Sequence, residues 1–536
     1  MPDERLTGWG WPGLGLAGSL AMTATGPDLA GRGSISWWFI LHLPPGHSVD
    51  VAVFYAGMAA LCVAWLGLGR RLRRAPSAKP AQLVLVGALW CLPLVFGPPL
   101  FSHDVYSYMA QGEILRLGLN PYHHGPDVLA RFGKTHLLAA VSPFWRATTS
   151  PYGPLFLALA SVIMAVVGSN LILGVLLMRV LELAGLALLA LYTPRLARTL
   201  GTDPCRATWM AVISPLVLLE LIAAGHNDAL MIGLLVAGVT LAMERRPLLG
   251  IALCAIAATI KLPAAAGIVF IAVAWARDEF EPAVPAAPGR NGAARAPGRN
   301  GASRVPGRDG LPAAPGRNGA ARAGAAAATR ALALSAAATL AVLAAVSALA
   351  GVGLSWVSSG VLSTPGKVHL AITPVTAAGW SLASLLHLLG ISASSRGIES
   401  ALGTVALTLT GVLGLALIRR TRYHNLVLLL AALLLVSVFA GPATWPWYLT
   451  WGLALVACCP VAQRSRALPP AVVLAVFLVK PNGILALPLH TAPFVLAAYV
   501  IAAGAGWRYR GRRDGETAPG RVRGLPGGEH PVLTNS

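Results

Sequence analysis

The chain has 536 residues, of which 56% are hydrophobic and 11% charged, and its formal net charge is +21. Soluble domains carry about a quarter charged residues, so a soluble enzyme or binding module is excluded. The excess charge is not a nucleic-acid surface either, because it sits in short clusters beside apolar runs: Arg70–Arg74, Arg245–Arg246, Arg419–Arg422 and Arg508–Arg513. That is the pattern by which cytoplasmic loops orient membrane proteins, with attraction to anionic lipid headgroups as a secondary effect.

Continuous apolar runs long enough to span a bilayer recur along the chain, and continuous rather than alternating runs mean helices. The fold class is an all-α polytopic membrane protein. Met1-Pro-Asp-Glu-Arg5 makes a poor signal-peptide start, so the first apolar stretch is expected to stay as a span. Segments 11–30 and 51–69 come first, and the second ends in the basic run 70–74, on the cytoplasmic side. Segment 82–100 then crosses outward and delivers Ser102-His-Asp104. Residues 101–150 read as a long extracytoplasmic loop rich in Pro, His, Tyr and Trp.

Segments 152–168 and 171–193 are both apolar, yet Arg195, Arg198 and Arg206 follow them. Passing from outside to inside takes an odd number of crossings, so 152–168 is expected to be interfacial or re-entrant. Segment 208–224 goes out, His226-Asn227-Asp228 turns outside, and 229–243 returns to Arg245. Residues 248–276 form a hairpin whose turn falls at Lys261-Leu262-Pro263. These elements make an N-terminal catalytic half over 1–275, with the extracytoplasmic loop extending over 101–170.

Residues 276–330 hold Pro-Gly-Arg-(Asn/Asp)-Gly at Pro288, Pro297, Pro306 and Pro315, an array with nothing apolar to bury. It reads as a disordered cytoplasmic loop. The C-terminal half, 331–506, places 331–350 outward, an amphipathic interfacial stretch at Thr376–Leu389, and 399–418 returning. Then follow 425–440, the turn Gly441–Tyr448, 449–463, and a last hairpin over 468–506. The tail 507–536 is basic and Gly/Pro-rich. The count is about 14 spans, with both termini inside.

This topology gathers His103, Asp104, Tyr106, Glu113, His123, His124, Asp127, His226, Asp228, Lys261, His369 and Trp445–Tyr448 at one face. Ionisable groups at membrane depth are costly unless paired or lining a cavity, so their convergence marks a site. Asp104 fits a general base, its proton affinity raised by apolar walls, or the cap of a helix beginning at Val105. His103 suits an acceptor hydroxyl or a phosphate. His226-Asn227-Asp228 suits a turn cap or a sugar or phosphate contact. Lys261 suits a phosphate or a snorkelling position. Arg179 and Glu182, three apart on one helix, are expected to pair with each other. Trp445, Trp447 and Tyr448 suit an interfacial aromatic belt or a platform for a sugar ring. His103, His123, His124 and Asp127 match no compact zinc spacing, and the cysteines read as packing residues. No cofactor is expected, although the residues do not exclude a divalent metal. No Walker motif, dinucleotide fingerprint or Gly-x-Ser-x-Gly elbow occurs.

Six stretches carry a resemblance in order: Ser102-His-Asp-Val-Tyr-Ser-Tyr108, Gly118-Leu-Asn-Pro-Tyr122, Ser150-Pro-Tyr-Gly-Pro-Leu155, Gly225-His-Asn-Asp-Ala-Leu-Met231, Ile260-Lys-Leu-Pro263 and Trp445-Pro-Trp-Tyr-Leu449. Together they resemble the GT-C glycosyltransferases, specifically the actinobacterial polyprenyl-phosphomannose-dependent α-1,6-mannosyltransferases of the MptA/MptB type. The resemblance implies interfacial helices after the first large loop. It implies a β-linked polyprenyl monophosphomannose donor and an α-1,6-mannan lipid acceptor, as in lipomannan assembly, with inversion at the extracytoplasmic face. Asp104 takes the catalytic position; His103, Tyr106, His226, Asn227, Asp228, Lys261, Trp447 and Tyr448 are donor- or substrate-binding candidates. A transporter or flippase of a lipid-linked sugar is the competing class, set back by polar groups at one face rather than mid-bilayer and by the lack of a repeat between the halves. The same fold could also serve glucose or arabinofuranose.

Overall fold

The computed structural model describes residues 10–30, 37, 47–74, 78–281, 317–358, 373–392, 394–441, 444–487 and 489–501. The chain runs from α1 (Gly10–Leu29) and α2 (His47–Leu72) to α3 (Pro80–Phe96) and α4 (Asp104–Arg116). After short 3-10 turns and α5 (Thr135–Ala140) come α6 (Pro154–Val167), α7 (Leu171–Thr199), α8 (Pro204–Ala211) and the single turn α9 (Pro215–Val217). A π-helical turn, Leu218–Ala223, leads into α10 (Asp228–Met243), followed by α11 (Pro247–Ala258), α12 (Ala265–Phe280) and α13 (Arg317–Ala350). The C-terminal half contributes Pro374–Leu388, Ser395–Arg420, Leu426–Ala440, Leu449–Val456 and Leu468–Val476. Among the described residues, extended backbone pairs only at the isolated bridge Val479–Leu485. The chain is an all-α membrane protein.

Among the described residues, five helices are long and apolar enough to cross a bilayer: Ser48–Leu72, Leu171–Thr199, Pro204–Ala223, Ala321–Ala350 and Ser395–Arg420. Burial sorts them. The most apolar window of Pro204–Ala223 is 94% buried, against 11% for Ala321–Ala350 and 6% for Ser395–Arg420, so the first is the central element and the last two form the periphery. Apart from α6, the other apolar helices, such as α3, α10 and α11, are also shorter. Helix length thus supports five crossings, and the remainder of the fourteen expected would fall to these shorter helices.

Tryptophans tie the N-terminal helices together. The Trp65 and Trp209 rings stack at 4.4 Å, and each indole N–H donates to the other residue's carbonyl at 2.9 Å. Trp90 Nε1 donates to Pro12 O at 2.9 Å. Burying such rings with their N–H groups satisfied gives apolar area without a polar penalty. The central element breaks at Ser214-Pro215, where proline removes a donor and its ring clashes with the preceding turn. The chain resumes as the π-helical turn, a widened geometry common at functional positions.

The structure departs from the sequence expectations in three places. Residues 101–150 are not simply a loop: α4 is a 13-residue helix with every residue from Val105 to Ile114 buried. A helix covered on all sides needs no amphipathic period, so the sequence offered only the alternative of a helix beginning at Val105; α4 starts one residue earlier, with His103 and not Asp104 at its N-cap. Arg179 and Glu182 do not pair. The Arg179 guanidinium instead donates to Val95 O at 2.6 Å, Gly97 O at 2.5 Å, Pro98 O at 3.1 Å and Ala223 O at 2.8 Å. Neither Glu182 oxygen has a hydrogen-bond partner among the described residues. Helix α13 begins at Arg317, inside the fourth Pro-Gly-Arg unit, because the alanine-rich stretch after it favours helix. The rest of the array, His369 and the basic tail lie outside the described residues.

The 14-residue α6 is about 21 Å long at 1.5 Å per residue, short of a hydrocarbon core of about 30 Å, a length that suits the interfacial placement expected for 152–168.

Arg179→Leu should destabilise the protein by about 3 kcal/mol, since it strips a charged donor from four buried carbonyls. Arg179→Lys keeps the charge without the fork and should lose less. Thermal unfolding of the purified variants in detergent measures both, and an unchanged midpoint for Arg179→Leu would remove the clamp from the account.

Candidate active site

Three segments converge at one pole of the helix bundle, and each is held there by long-range contacts. The first leaves α3 at Gly97. Leu100 N–H donates to Ala223 O at 3.1 Å and Phe101 N–H to Pro481 O at 2.8 Å. Phe101 sits at φ 65° with its ring fully buried. A non-glycine residue in this region costs about 1–2 kcal/mol, and such strain persists only where the surroundings over-determine it. It turns the chain so that α4 starts at Asp104, whose backbone N–H donates to Ser102 Oγ at 3.1 Å.

The second segment is Gly225-His-Asn-Asp228, between the π-helical turn and α10. Gly225 takes φ 75°, which glycine adopts without penalty. The third is the α11–α12 turn. There Gly153 N–H donates to Ile260 O at 2.9 Å and Leu155 N–H to Thr259 O at 3.0 Å. A Cβ at Gly153 would fall 2.2 Å from Thr259 O, so only glycine lets Ser150-Pro-Tyr-Gly-Pro154 dock and bring Tyr152 over Lys261.

These segments assemble two carboxylates with different surroundings. Asp228 is fully buried. Lys261 Nζ donates to its Oδ1 at 2.9 Å and Oδ2 at 2.7 Å, and Trp451 Nε1 also donates to Oδ1. The ammonium lies 4.7 Å from the Tyr448 ring centroid and 5.6 Å from that of Trp451, where ring quadrupoles favour a cation. Asp104 keeps 16% of its side chain exposed. Its Oδ1 accepts from Trp145 Nε1 at 3.0 Å, while Oδ2 lies 3.8 Å from His226 Nε2.

His226 is fully buried and stacked on Trp447 at 4.0 Å, and Trp447 stacks in turn on Trp445 at 4.8 Å. Its Nδ1 bonds to Glu220 O. A carbonyl only accepts, so Nδ1 carries the hydrogen and Nε2 presents a lone pair in the neutral ring. Burial pushes the imidazole below its ordinary proton affinity; Asp104, Asp228 and the Glu220 carbonyl pull it up, and Lys261 adds to the lowering. Burial likewise raises the Tyr448 phenol.

Of the sequence candidates, Asp104, His226, Asp228, Lys261, Trp447 and Tyr448 meet here. His103 and Tyr106 do not enter the carboxylate cluster. His103 bonds through Nε2 to Ala30 O at 2.8 Å and ties α4 to the end of α1, while Tyr106 is buried on the same helix. Asn227 is fully buried, with neither amide atom hydrogen-bonded among the described residues. Glu113 is a structural anchor: Arg116 at 2.6 Å and Lys134 at 3.0 Å grip it, and the bond from Arg116 is the main reason its carboxyl is held below the usual range. Trp445 and Trp447 are buried rather than arrayed as an outer belt, because the His226 ring takes one face of the stack. His123, His124 and Asp127 are exposed, and the described residues hold no group of three metal-ligating side chains. Sequence reasoning missed Trp145, Tyr152 and Trp451. Only Trp451 left a signal, standing three and four residues after Tyr448 and Trp447 and so on the same helical face.

Asp228→Asn leaves the Lys261 ammonium buried beside a neutral amide, and should cost about 3–5 kcal/mol of stability. In a double-mutant cycle with Lys261→Met, the coupling between the two positions should reach about 2 kcal/mol. Additive effects would show that the pair does not act as a unit.

Residues 13–277 match the family described as alpha-(1->6)-mannopyranosyltransferase, N-terminal domain, and residues 372–508 match the MptB C-terminal domain. The alpha-(1->6)-mannopyranosyltransferase A of Mycobacterium tuberculosis is 34% identical over 88% of this chain and 84% of its own length. The protein of that name from Corynebacterium glutamicum is 38% identical over 42% of this chain and 47% of its own. The alpha-(1->6)-mannopyranosyltransferase B of the same organism is 30% identical over 35% of this chain and 32% of its own. No solved structure matches. With both halves matched and a relative aligned along most of both chains, this chain belongs to the α-(1→6)-mannopyranosyltransferase family of membrane hexosyltransferases.

Proposed function

We propose that the chain transfers mannose from a polyprenyl monophosphomannose to the 6-hydroxyl of an α-1,6-mannan lipid at the extracytoplasmic face, with Asp104 as general base. The difference between the two carboxylates carries this reading. Asp228 is buried and neutralised by Lys261, whereas Asp104 retains exposure and a carboxylate oxygen turned toward His226. Of the two carboxylates, Asp104 is the one left free to receive an incoming hydroxyl.

The donor is β-linked in this reading, and a single displacement at C1 gives the α product. The acceptor oxygen forms the new bond to C1 as the bond to phosphate oxygen breaks, and the polyprenyl phosphate leaves with that electron pair. Departing phosphate needs a positive partner. Lys261 has three N–H donors, of which two meet Asp228, leaving one for a phosphate oxygen. The neutral His226 offers an acceptor at Nε2, so phosphate stabilisation falls to Lys261. Tyr448 and Trp447 wall the site through their contacts with Lys261 and His226, and the buried Asn227 adjoins His226 in sequence.

The orientation is supported by two poles. Basic helix ends meet acidic partners at one: Arg195 with Glu244, Arg245 with Asp278, and Arg422 with Glu281. The proposed catalytic groups occupy the other. Helix α10 runs between them, from Asp228 to Glu244, over about 24 Å at 1.5 Å per residue. Basic ends belong inside the cell, and this supports an extracytoplasmic Asp104 in the proposed reading.

Purified protein given radiolabelled polyprenyl phosphomannose and a short α-1,6-mannoside should transfer label, and Asp104→Asn should slow this by about 10²–10⁴-fold. Full activity in that variant would end the assignment. Parallel donors carrying glucose or arabinofuranose should react poorly. For topology, His123→Cys should react with an impermeant thiol reagent on intact cells and Arg420→Cys only after lysis. The six native cysteines are all buried and should give little background. The reverse pattern would invert the orientation.

A further inference from the structure

Two hydrogen-bond acceptors face each other beside the exposed edge of Asp104. One is Asp104 Oδ2; the other is His226 Nε2, fully buried and without a hydrogen-bond partner among the described residues, 3.8 Å away. That separation is too long for a direct hydrogen bond and too short to be indifferent. The His226 ring has little freedom to change the arrangement: Trp447 covers one face and the Glu220 carbonyl holds Nδ1–H. The lone pair at Nε2 is therefore presented in a fixed direction, toward the carboxylate.

We propose that His226 is the second half of the base, its Nε2 receiving the proton that the acceptor hydroxyl gives up against Asp104. This deepens the reading of Asp104 above and rests on it. The hydroxyl donates its hydrogen between Oδ2 and Nε2. As its oxygen bonds to the mannose C1 and the polyprenyl phosphate leaves with the electron pair of the broken C1–O bond, the proton comes to rest on Nε2. The resulting imidazolium N–H turns its charge to Oδ2, so the enzyme ends the step with a neutralised pair, and the proton passes to water when product leaves. A lone carboxylate, by contrast, would hold that proton as a weakly basic acid.

The free enzyme must then have His226 neutral. Protonated beforehand, Nε2 would have no lone pair left to receive the proton. The groups facing the ring are Asp104 from α4 and Asp228 from α10, which raise its proton affinity, and Lys261 from the α11 turn, which together with burial lowers it; the balance lies below 6.5. Activity should therefore fall as pH drops through a value under 6.5, and hold above it.

The experiment follows kcat/KM for the acceptor against pH in the wild type, with the donor KM measured at each pH. An acidic limb between the carboxylate range and 6.5, absent from the donor KM, is the expected result; no limb in that interval overturns the proposal without any variant. His226→Gln keeps a polar side chain that cannot take the proton. It should lower kcat by about 10–100-fold, leave the donor KM unchanged, and remove the limb assigned to His226. A limb left in place, an unchanged kcat, or a raised donor KM at constant kcat would each sink it, the last by making His226 a phosphate ligand. Asp104→Asn separates the two readings. If it stays active, the base assignment itself falls; if it is inactive while His226→Gln matches the wild type, only the role of His226 does.

Discussion

The Arg179 guanidinium sits between two helix ends that point at the same place. Val95, Gly97 and Pro98 offer carbonyls where α3 finishes, and Ala223 offers one where the π-helical turn finishes. Helix C-termini carry unpaired carbonyls and partial negative charge, so two of them could not approach closely without a cation between them. A buried arginine is costly alone, but here its two terminal nitrogens satisfy four carbonyls. The chain leaving the first end carries Asp104, and the chain leaving the second carries His226 and Asp228. The spacing of the carboxylates and the imidazole is thus set by a residue that touches none of them.

From that frame the two aspartates acquire opposite characters through their neighbours. Asp228 gains an ammonium and an indole N–H and loses all exposure, and its two oxygens hold Lys261 in place. Asp104 gains one indole N–H and keeps a face toward the opening. Pairs of acidic groups whose surroundings diverge in this way divide structural and proton-transfer work between them. The aromatic residues supply more than walls. Trp145 and Trp451 each give an N–H to a carboxylate, and Trp447 fixes the plane of His226.

What could be read in the sequence was whatever leaves a local trace. The apolar runs, the turn at Lys261-Leu262-Pro263 and the polar turn at His226-Asn227-Asp228 are local features, and the structure contains each. Basic loop ends gave the expected grouping of polar residues at one pole. The parity of the crossings singled out 152–168, which is a helix of only 14 residues. Helix α4 left only the capping alternative at Asp104 as a trace, since burial on every side erases the period that betrays an amphipathic helix. Arg179 was misread for a different reason: its partners lie 44 to 84 residues away, whereas helical spacing suggests only the neighbour Glu182. Trp145 likewise meets Asp104 across 41 residues of chain.

Short helices around the site have an energetic consequence. The 12-residue α11 spans about 18 Å at 1.5 Å per residue, so its end at Lys261 lies within the bundle and not beyond it. The same holds for the break in Pro204–Ala223 and for the close approach of α7 and α10, where a Cβ at Gly233 would fall 2.4 Å from Gly185 O. Each device draws polar turn residues down among apolar side chains. A charge pair or an indole-to-carboxylate hydrogen bond is stronger there than in water, because the local dielectric is low. In the proposed transfer, the desolvation that makes such groups expensive would also strengthen the action of one lysine N–H on a departing phosphate and of Asp104 on an incoming hydroxyl. Longer helices would leave these groups in water, where neither would discriminate between ground state and transition state to the same degree.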